Sequence, residues 1–446
     1  MEQQPRLPLW FLVENSSLIA IAFLAGALLG GRGFVRFPRP QADALQVVYQ
    51  KILEAHVEPH DGAALLDTAI TAMAGDLDDY SRYVPPADVQ RYEESSTGRY
   101  EGIGLVWREH DGEIVVHFPF AGGPADREGI RPGDRLVAVD GKRMADVAPE
   151  RRGATATELV RGPAGTPVRL AFERDGSEVE ATVNRESVQR PAVKWANLVD
   201  PEAGIGYLHI TDFHIGIAAG VRDAIAELRR QGELRGLVID LRFDGGGSLD
   251  ECVALSRMFQ PSGVIVSTRR RGEELERVEA RPEECLFPEL PLALLVNGDS
   301  ASASEVFAGC LQDHGRALVV GTRTYGKGVV NTVYSWPEFK LKLTTAYYFT
   351  PNGRSLGGSH RLENGDGSHP EIGIAPDVDA PIGDQERTAV LLALREYEVP
   401  PAHRDGFAKV AARYGLTVPN PPQPGDDSQL AQALDELKKR LANGHK

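Results

Sequence analysis

The sequence predicts a mixed α/β protein, because short apolar runs alternate with amphipathic segments through the second half of the chain. The runs at 236–241, 292–296 and 317–320 are mostly apolar and have the length of buried strands. The segment 220–230, before the first of these runs, places its apolar residues at helical spacing. Strands and helices that alternate in this way predict a sheet with helices packed against it.

Composition indicates an acidic globular protein. The chain has 446 residues, 42% hydrophobic and 25% charged, a length that predicts about three domains. A net charge of −15 argues against nucleic acid as a partner, because phosphate binding needs clustered Lys and Arg. The cysteines, Cys252, Cys285 and Cys310, lack C-x-x-C spacing, so we expect neither a metal site nor a cofactor. Cys252 and Cys310 lie in apolar helical patterns and are predicted to be core residues.

Residues 1–40 are predicted to be a signal peptide or membrane anchor followed by a linker. The stretch 7–29 is mostly apolar but contains Glu14 and Asn15, and its uninterrupted part is shorter than the ~20 residues of a spanning helix. A cleaved signal and a retained anchor both fit this pattern. More arginines follow the stretch than precede it, which by charge alone favours a cytoplasmic location for the C-terminal side.

Residues 41–95 are predicted to form short helices, because apolar residues recur there at helical spacing. The segment 77–83, with the sequence LDDYSRY, is interpreted as a further helical packing element.

Residues 96–187 resemble a PDZ domain. The segment 123–134, GPADREGIRPGD, predicts a turn, a short helix and a Pro-Gly-Asp turn into a strand. The resemblance implies that Gly102, Ile103, Gly104 and Leu105 form the loop whose N–H groups bind a peptide carboxylate, with the peptide added to the next strand. A plain β-sandwich without a ligand is the competing interpretation.

A candidate catalytic stretch runs from 297 to 331. Ser302 lies between a buried strand and a helix, and Lys327 lies in a glycine loop after the next strand. A serine needs a neighbouring base, and a lysine serves as one only where burial lowers its pKa. The alternative is structural: Ser302 and Glu305 match a capping box, and Lys327 is then an ordinary loop residue.

Three motifs in this stretch, SASASE at 300–305, HGRALVVG at 314–321 and TYGKG at 324–328, resemble the carboxyl-terminal processing (tail-specific) proteases. The resemblance implies a Ser-Lys dyad of Ser302 and Lys327. It places Asn331 where the family has a glutamine that orients the lysine. It also implies a ClpP/crotonase-like α/β protease core over residues 188–380, with an inserted PDZ domain before it.

The glycine loop after the strand 236–241 resembles the family motif D-L-R-x-N-P-G-G, in which a glycine N–H contributes to the oxyanion hole. The resemblance assigns this role to Gly246, or less directly to Gly247, together with the N–H of Ala303. Asp244 and Gly245 replace the Asn-Pro of the family.

The sequence therefore predicts a serine endopeptidase that binds C-terminal tails of protein substrates, with residues 381–446 as a C-terminal helical tail. The resemblance implies an exported enzyme of the periplasm or another extracytoplasmic space, anchored to the inner membrane, with a homo-oligomer or an activating adaptor as further partners. Two alternatives stay open: an inactive PDZ scaffold or adaptor of the envelope, and a hydrolase or acyltransferase with a non-peptide acyl substrate.

Overall fold

The computed structural model describes residues 39–271, 273–357 and 372–443. The chain divides into two compact units, Met1–Met73 and Ala74–Lys446. The first unit contains helix α1 (Arg39–Ala55) and most of α2 (Gly62–Gly75). The apolar stretch 7–29 lies outside the described residues, and within them we find no helix that has both the length and the apolarity to cross a bilayer.

The second unit begins with a small β-domain held at its base by a two-stranded ribbon. In chain order, β1 (Arg82–Val84) and α3 (Val89–Thr97) come before this domain. The elements of the domain and its ribbon are β2 (Arg99–Gly102), β3 (Leu105–His110), β4 (Glu113–Pro119), α4 (Pro124–Arg127), β5 (Arg135–Val139), β6 (Lys142–Arg143), α5 (Arg152–Val160), β7 (Pro167–Arg174), β8 (Ser177–Asn184) and β9 (Glu186–Gln189). Strands β2 and β9 form the ribbon. The sheet of the domain has the order β3-β4-β5-β7-β8, and its apolar core includes residues of α5.

A larger α/β core follows, and it is the part of the chain that positions the candidate catalytic residues. Its elements are β10 (Val193–Asp200), β11 (Ile205–Ile210), α6 (Ile217–Gln231), β12 (Gly236–Asp240), α7 (Leu249–Phe259), β13 (Val264–Arg270), β14 (Glu273–Glu279), β15 (Leu292–Val296), α8 (Ala303–Asp313), β16 (Ala317–Gly321), β17 (Val329–Ser335), β18 (Lys340–Phe349) and β19 (Val378–Asp379). The main sheet has the order β10-β11-β12-β15-β16-β19 and is parallel except for β10. The predicted mixed α/β architecture is confirmed.

Both faces of the main sheet are covered by helices. Helices α6, α7 and α8 pack on one face, where the buried side chains include Cys252 and Cys310, as predicted for core residues. Three helices follow the core: α9 (Asp384–Arg395), α10 (Arg404–Tyr414) and α11 (Ser428–Ala442). Residues of α9 and α11 pack on the other face of the sheet, and residues of α10 pack against β3 and β4 of the small β-domain.

The segment 77–83 differs from its predicted form. It was expected to be a helical packing element, but it leads through a turn into β1, which pairs antiparallel with β18. The partner residues are more than 250 positions apart in the chain. Such a distant pairing leaves no local pattern, which is why helical spacing was a poor guide here.

Candidate active site

Ser302 occupies the turn between β15 and α8 with a backbone conformation that is rare for a serine. Its φ is 57° and its ψ is −114°. A residue held in such a sparsely populated region of φ/ψ space costs free energy, and residues of this kind cluster at functional sites. The side chain is nearly buried, with a relative exposure of 8%.

The two neighbouring serines of the motif have structural hydrogen bonds. The Ser300 hydroxyl donates to the Leu241 carbonyl at 2.8 Å, and the Ser304 hydroxyl donates to the Asp244 carbonyl at 3.1 Å. Both bonds tie the turn to the end of β12. These bonds separate Ser302 from its neighbours as the candidate nucleophile.

Lys327 lies on the loop between β16 and β17, where it is half-buried. Burial is the largest influence on its amine and lowers the pKa, while the nearby carboxylate of Glu305 acts in the opposite direction. The Nζ atom lies 5.2 Å from the centre of the Tyr80 ring. Within the described residues, Nζ has no hydrogen-bond acceptor. A buried amine without an acceptor is favoured in its neutral form, which is the form a general base requires.

The carboxylate of Glu305 joins the serine turn to the lysine loop. One oxygen, Oε2, accepts hydrogen bonds from the backbone N–H groups of Ser302 at 2.9 Å and Lys327 at 2.8 Å. The other, Oε1, accepts from Gly326 N–H at 2.7 Å and from the Thr324 hydroxyl at 2.5 Å. The side chain is fully buried and lies on the first turn of α8.

Sequence analysis assigned Glu305 only to a capping box. The bond from Ser302 N–H is the half of that box that fixes the serine backbone. The contacts with the lysine loop were missed, although the motif already placed an acidic residue three positions after the serine. Capping and catalysis are therefore compatible roles for this turn.

The loop after β12 brings Gly246 against the serine turn. A Cβ atom at this position would lie 2.8 Å from both Ala303 N and Ser302 Cβ, and the φ of Gly246 is 94°. Only glycine fits here. The Gly246 N–H donates to Asp244 Oδ1 at 2.8 Å. The Ala303 N–H has no acceptor in the parts of the chain that the structure describes, so of the two predicted oxyanion donors it is the one not already engaged.

Asp244, which replaces the asparagine of the family motif, is completely buried. Burial raises the pKa of its carboxyl well above the usual value, and the nearby Asp212 adds to this effect. Its Oδ2 atom has no hydrogen-bond partner in the described structure. A neutral carboxylic acid has nearly the shape of an asparagine amide. The raised pKa therefore gives a physical reason why an aspartic acid can stand at this position.

Asn331, expected to orient Lys327, is hydrogen-bonded elsewhere. Its amide nitrogen donates to the Thr344 hydroxyl at 3.1 Å, and that hydroxyl donates to Asp78 Oδ1 at 3.1 Å. Among the described residues we find no hydrogen bond from Asn331 to Lys327 Nζ. An orienting role for Asn331 stays a prediction.

The segment 77–83 contributes a residue to the site that sequence analysis missed. Its Tyr80 ring covers the ammonium group of Lys327, as the 5.2 Å distance shows. Asp78 fixes the turn by accepting from the backbone N–H groups of Tyr80 and Ser81, each at 2.7 Å. The sequence LDDYSRY resembles the family segment L-D-P-H/Y-S-x-Y, with Asp79 in place of the proline, and this similarity was the available signal. Sequence analysis interpreted the segment as a packing element instead.

The predicted peptide-binding residues of the small β-domain, 102–105, join the end of β2 to the start of β3. The Ile103 carbonyl accepts from Ala125 N–H and the Gly104 carbonyl from Phe120 N–H, both at 2.9 Å. These bonds hold the loop 102–105 against the domain. Among the described strands, β3 pairs on one side only, with β4. Its other edge is therefore available for an added strand.

A cavity of about 320 Å³ lies beside this loop and is lined by all four predicted residues together with Thr157 and Val160 of α5. Two arginines also line it, Arg161 and Arg190, whose guanidinium groups lie 5.3 and 5.6 Å from the centre of the Tyr100 ring. Arg161 is ion-paired with Glu94 at 2.7 Å, and the guanidinium of Arg190 supplies positive charge that suits a carboxylate.

The site gives no sign of a metal. Within residues 39–271, 273–357 and 372–443, no group of three or more His, Cys, Asp or Glu side chains is arranged to hold an ion. The same residues contain no disulfide, and Cys252, Cys285 and Cys310 are free thiols.

The sequence of this chain matches two known protein families and several known proteases. The family model described as Peptidase family S41 matches residues 204–380, and the PDZ domain model matches residues 121–174. The carboxy-terminal-processing protease of Bartonella bacilliformis is 32% identical over 408 residues, covering 89% of this chain and 88% of that protein. A "Probable CtpA-like serine protease" of Staphylococcus haemolyticus is 28% identical and covers 93% of this chain and 79% of its own length.

Among solved structures, the photosystem II D1 C-terminal processing protease is 29% identical, with a TM-score of 0.41, and the match covers 74% of this chain and 85% of that one. The extent and identity of the Bartonella match establish the relationship. The chain belongs to the carboxyl-terminal processing proteases of peptidase family S41, which are serine-type peptidases, and it carries a PDZ domain.

Proposed function

We propose that the chain is an endopeptidase in which Ser302 attacks the peptide carbonyl and Lys327 takes the serine proton. The observation that carries the proposal is the carboxylate of Glu305, which accepts from the backbone N–H groups of both residues at 2.8–2.9 Å. A shared acceptor holds two loops in a fixed relation, which is the requirement for a nucleophile and its base. Burial lowers the pKa of Lys327, which favours the neutral amine that a general base requires.

The reaction then follows the general course of acyl transfer. The Ser302 oxygen forms a bond to the carbonyl carbon while its proton moves to Lys327 Nζ. The oxyanion accepts a hydrogen bond from the Ala303 N–H at the start of α8, where unpaired backbone donors favour negative charge. Lys327 next donates its proton to the departing amine. Water, deprotonated by the same lysine, releases the acyl group from Ser302.

The experiment uses an unfolded reporter protein with an apolar C-terminus, incubated with the wild-type chain and with Ser302→Ala. Ser262→Ala is the matched control, because Ser262 is exposed and lies outside the candidate site. We expect the reporter to be cut by wild type and by the control, but not by Ser302→Ala. Equal cutting by all three would refute the assignment of the nucleophile.

We further propose that the PDZ domain selects substrates by their free C-terminal tail. Support comes from the loop 102–105, the edge of β3 that pairs with no described strand, and the positive charge of Arg190 in the cavity lining. A reporter that ends in an amide lacks the negative charge of the terminal carboxylate. We expect this reporter to bind and to be cut less well, and equal binding of the two reporters would contradict tail recognition.

Location and assembly belong to the proposal as well. An exported enzyme held at the inner membrane is consistent with the apolar stretch 7–29. Helices α1 and α2 leave Leu45, Val48, Leu53 and Met73 exposed, which is consistent with a homo-oligomer or a bound adaptor. Light scattering of the purified chain gives the oligomeric state. A monomer at all concentrations would remove the homo-oligomer, and fractionation of cells that express the full chain tests the location.

A further inference from the structure

We propose that the substrate tail is bound from two sides, and that a second cavity, between the PDZ domain and the C-terminal region, takes alternate side chains of the tail. The inference rests on the proposed tail recognition and adds to it a second subsite with its own specificity. The second cavity has a volume of about 790 Å³. It lies outside residues 121–174, the part of the chain that matches the PDZ domain model.

Strand β3 lies between the two cavities: Leu105 and Trp107 line only the first of them, and Glu109 and His110 line only the second. Leu105 and Trp107 pack against the core of the PDZ domain, on the side of α5. Val106 packs with Phe407 of α10, and the His110 ring stacks on Tyr414 at 4.7 Å. An added strand alternates in the same way as the strand it joins. Successive side chains of a bound tail therefore face the two cavities in turn.

The two cavities are neighbours along the strand that would receive the tail. Val106, Arg108 and Tyr397 line both of them. Tyr397 follows α9 and lies 6.1 Å, ring centre to ring centre, from Phe120 beside the carboxylate loop. A side chain from the C-terminal region thus stands at the boundary between the two cavities.

The wall contributed by the C-terminal region is largely apolar. It includes Leu392 of α9, Phe407 of α10, and the segment 416–422. Leu392 is 59% exposed, although it is a large apolar residue on a helix that packs against the sheet. A tail side chain in this cavity would cover it. Burial of apolar surface is the main source of binding free energy for such a contact.

Charge further restricts the side chains that fit the second cavity. Glu109, Glu396 and Asp426 line it, against one guanidinium, that of Arg108. His117 also lines it, and burial lowers the pKa of its imidazole to about 4, so that this ring is neutral at pH 7. The excess of carboxylates disfavours acidic tail residues. Together with the apolar wall, this charge favours apolar over acidic side chains in the cavity.

The last residue of the tail enters the first cavity, because that cavity adjoins the carboxylate loop and α5. By alternation, the penultimate and fourth-from-last residues then face the second cavity. The proposed specificity is for tails with apolar residues at these two positions, beyond the preference at the end of the tail itself.

The test measures peptide binding to the full chain carrying Ser302→Ala, so that no peptide is cut. Fluorescently labelled ten-residue peptides carry leucine or aspartate either at the penultimate and fourth-from-last positions, or at the last and third-from-last positions. Fluorescence anisotropy gives each Kd in the background chain, in the same chain with Leu392→Glu, and in the same chain with Leu275→Glu. Leu275 is the matched control: it is 56% exposed and lies on β14, outside both cavities.

We expect leucine at the penultimate and fourth-from-last positions to bind at least about tenfold more tightly than aspartate, a difference of ~1.4 kcal/mol. Leu392→Glu should weaken the binding of leucine at these two positions several-fold, because the cavity loses apolar surface, and should leave the preference at the other two positions unchanged. Leu275→Glu should change neither.

Three outcomes overturn the inference. Tails that bind with no preference at the penultimate and fourth-from-last positions remove the second subsite while leaving tail recognition in place. If Leu392→Glu leaves the binding of leucine at these positions unchanged, the side chains are recognised outside this cavity. If no tail binds at all, the proposed recognition itself fails, and the second subsite fails with it.

Discussion

Replacement of Glu305 by glutamine tests whether one carboxylate holds the nucleophile and the base together. Each oxygen of Glu305 accepts two hydrogen bonds, so an NH₂ group in place of either oxygen turns two attractive contacts into repulsive ones. A hydrogen bond to a charged group contributes about 1.5–3 kcal/mol. Two such bonds correspond to about 3–6 kcal/mol of positioning. If half of this is expressed in the transition state, kcat falls by roughly tenfold to a hundredfold or more.

The assay is steady-state cleavage of an unfolded reporter by Glu305→Gln, with Thr324→Val as a graded comparison. Thr324→Val leaves three of the four bonds to Glu305 in place, so its effect on kcat should be clearly smaller, although it also removes the bond that this hydroxyl accepts from Ile374 N–H at 2.7 Å. The proposed tail binding involves the PDZ domain and not Glu305, so KM should change little in either variant. Circular dichroism and the midpoint of thermal unfolding show how much of each effect comes from stability.

The pH dependence gives a second measure of the same residue. All four contacts donate to Glu305, which requires the ionised form, yet burial raises the pKa of its carboxyl above the usual value. Wild-type activity should therefore fall as the pH drops through this raised pKa, and the acidic limb should be absent from the remaining activity of Glu305→Gln. The reasoning is refuted if Glu305→Gln keeps wild-type kcat and an unchanged acidic limb.

Three further predictions concern residues around the dyad. Tyr80→Leu removes the attraction of the ring for the charged amine of Lys327, worth about 0.5–2 kcal/mol, so the pKa of Lys327 should fall by about 0.4–1.5 units and kcat/KM should extend to lower pH; an unshifted profile would show that the ring has no effect on the base. For Asp244, burial favours the protonated carboxyl, so wild-type activity and stability should both fall as the pH rises through its raised pKa, and Asp244→Asn should remove that alkaline loss; a loss that persists in the variant has another origin. Asn331→Gln lengthens the amide by one methylene and should raise kcat by roughly twofold to tenfold, the value of one new hydrogen bond to Lys327, whereas a decrease in kcat would mean that the site is adapted to asparagine.

The local part of the site could be predicted because its signals are local. A buried strand, three alternate serines and the start of a helix predicted a serine at this turn, and a glycine loop after the next strand predicted Lys327. The family resemblance then selected Ser302 among the three serines. The loop 102–105 was predicted for the same reason. Each of these features depends on residues within a few positions of one another.

The remaining parts of the site depend on contacts between distant segments. Tyr80 reaches Lys327 only because β1 pairs with β18, and the sequence near Tyr80 carries no trace of that pairing. The bond from Gly246 to Asp244 depends on a backbone conformation with positive φ that a run of glycines permits but does not specify. Orientation of Lys327 by Asn331 was transferred from the family, whereas the Asn331 amide donates to the Thr344 hydroxyl, on the neighbouring strand β18.

The C-terminal region, expected only as a helical tail, is part of the protease core. Arg242, at the end of β12, is completely buried between Asp240 and Asp427, and Asp427 is the N-cap of α11. Loss of one partner of a buried charge destabilises a protein by about 3–5 kcal/mol. Helix α11 therefore stabilises the start of the glycine loop after β12, which contains the candidate oxyanion donor Gly246. Lys194, on β10, donates to the carbonyls of Leu394 and Glu396 at 2.8 and 2.9 Å, directly before Tyr397 at the tail cavities. The same region therefore contacts the main sheet, which positions the candidate catalytic residues, and lines the proposed tail site. Its packed contacts link the proposed tail site to the sheet that holds the candidate catalytic residues.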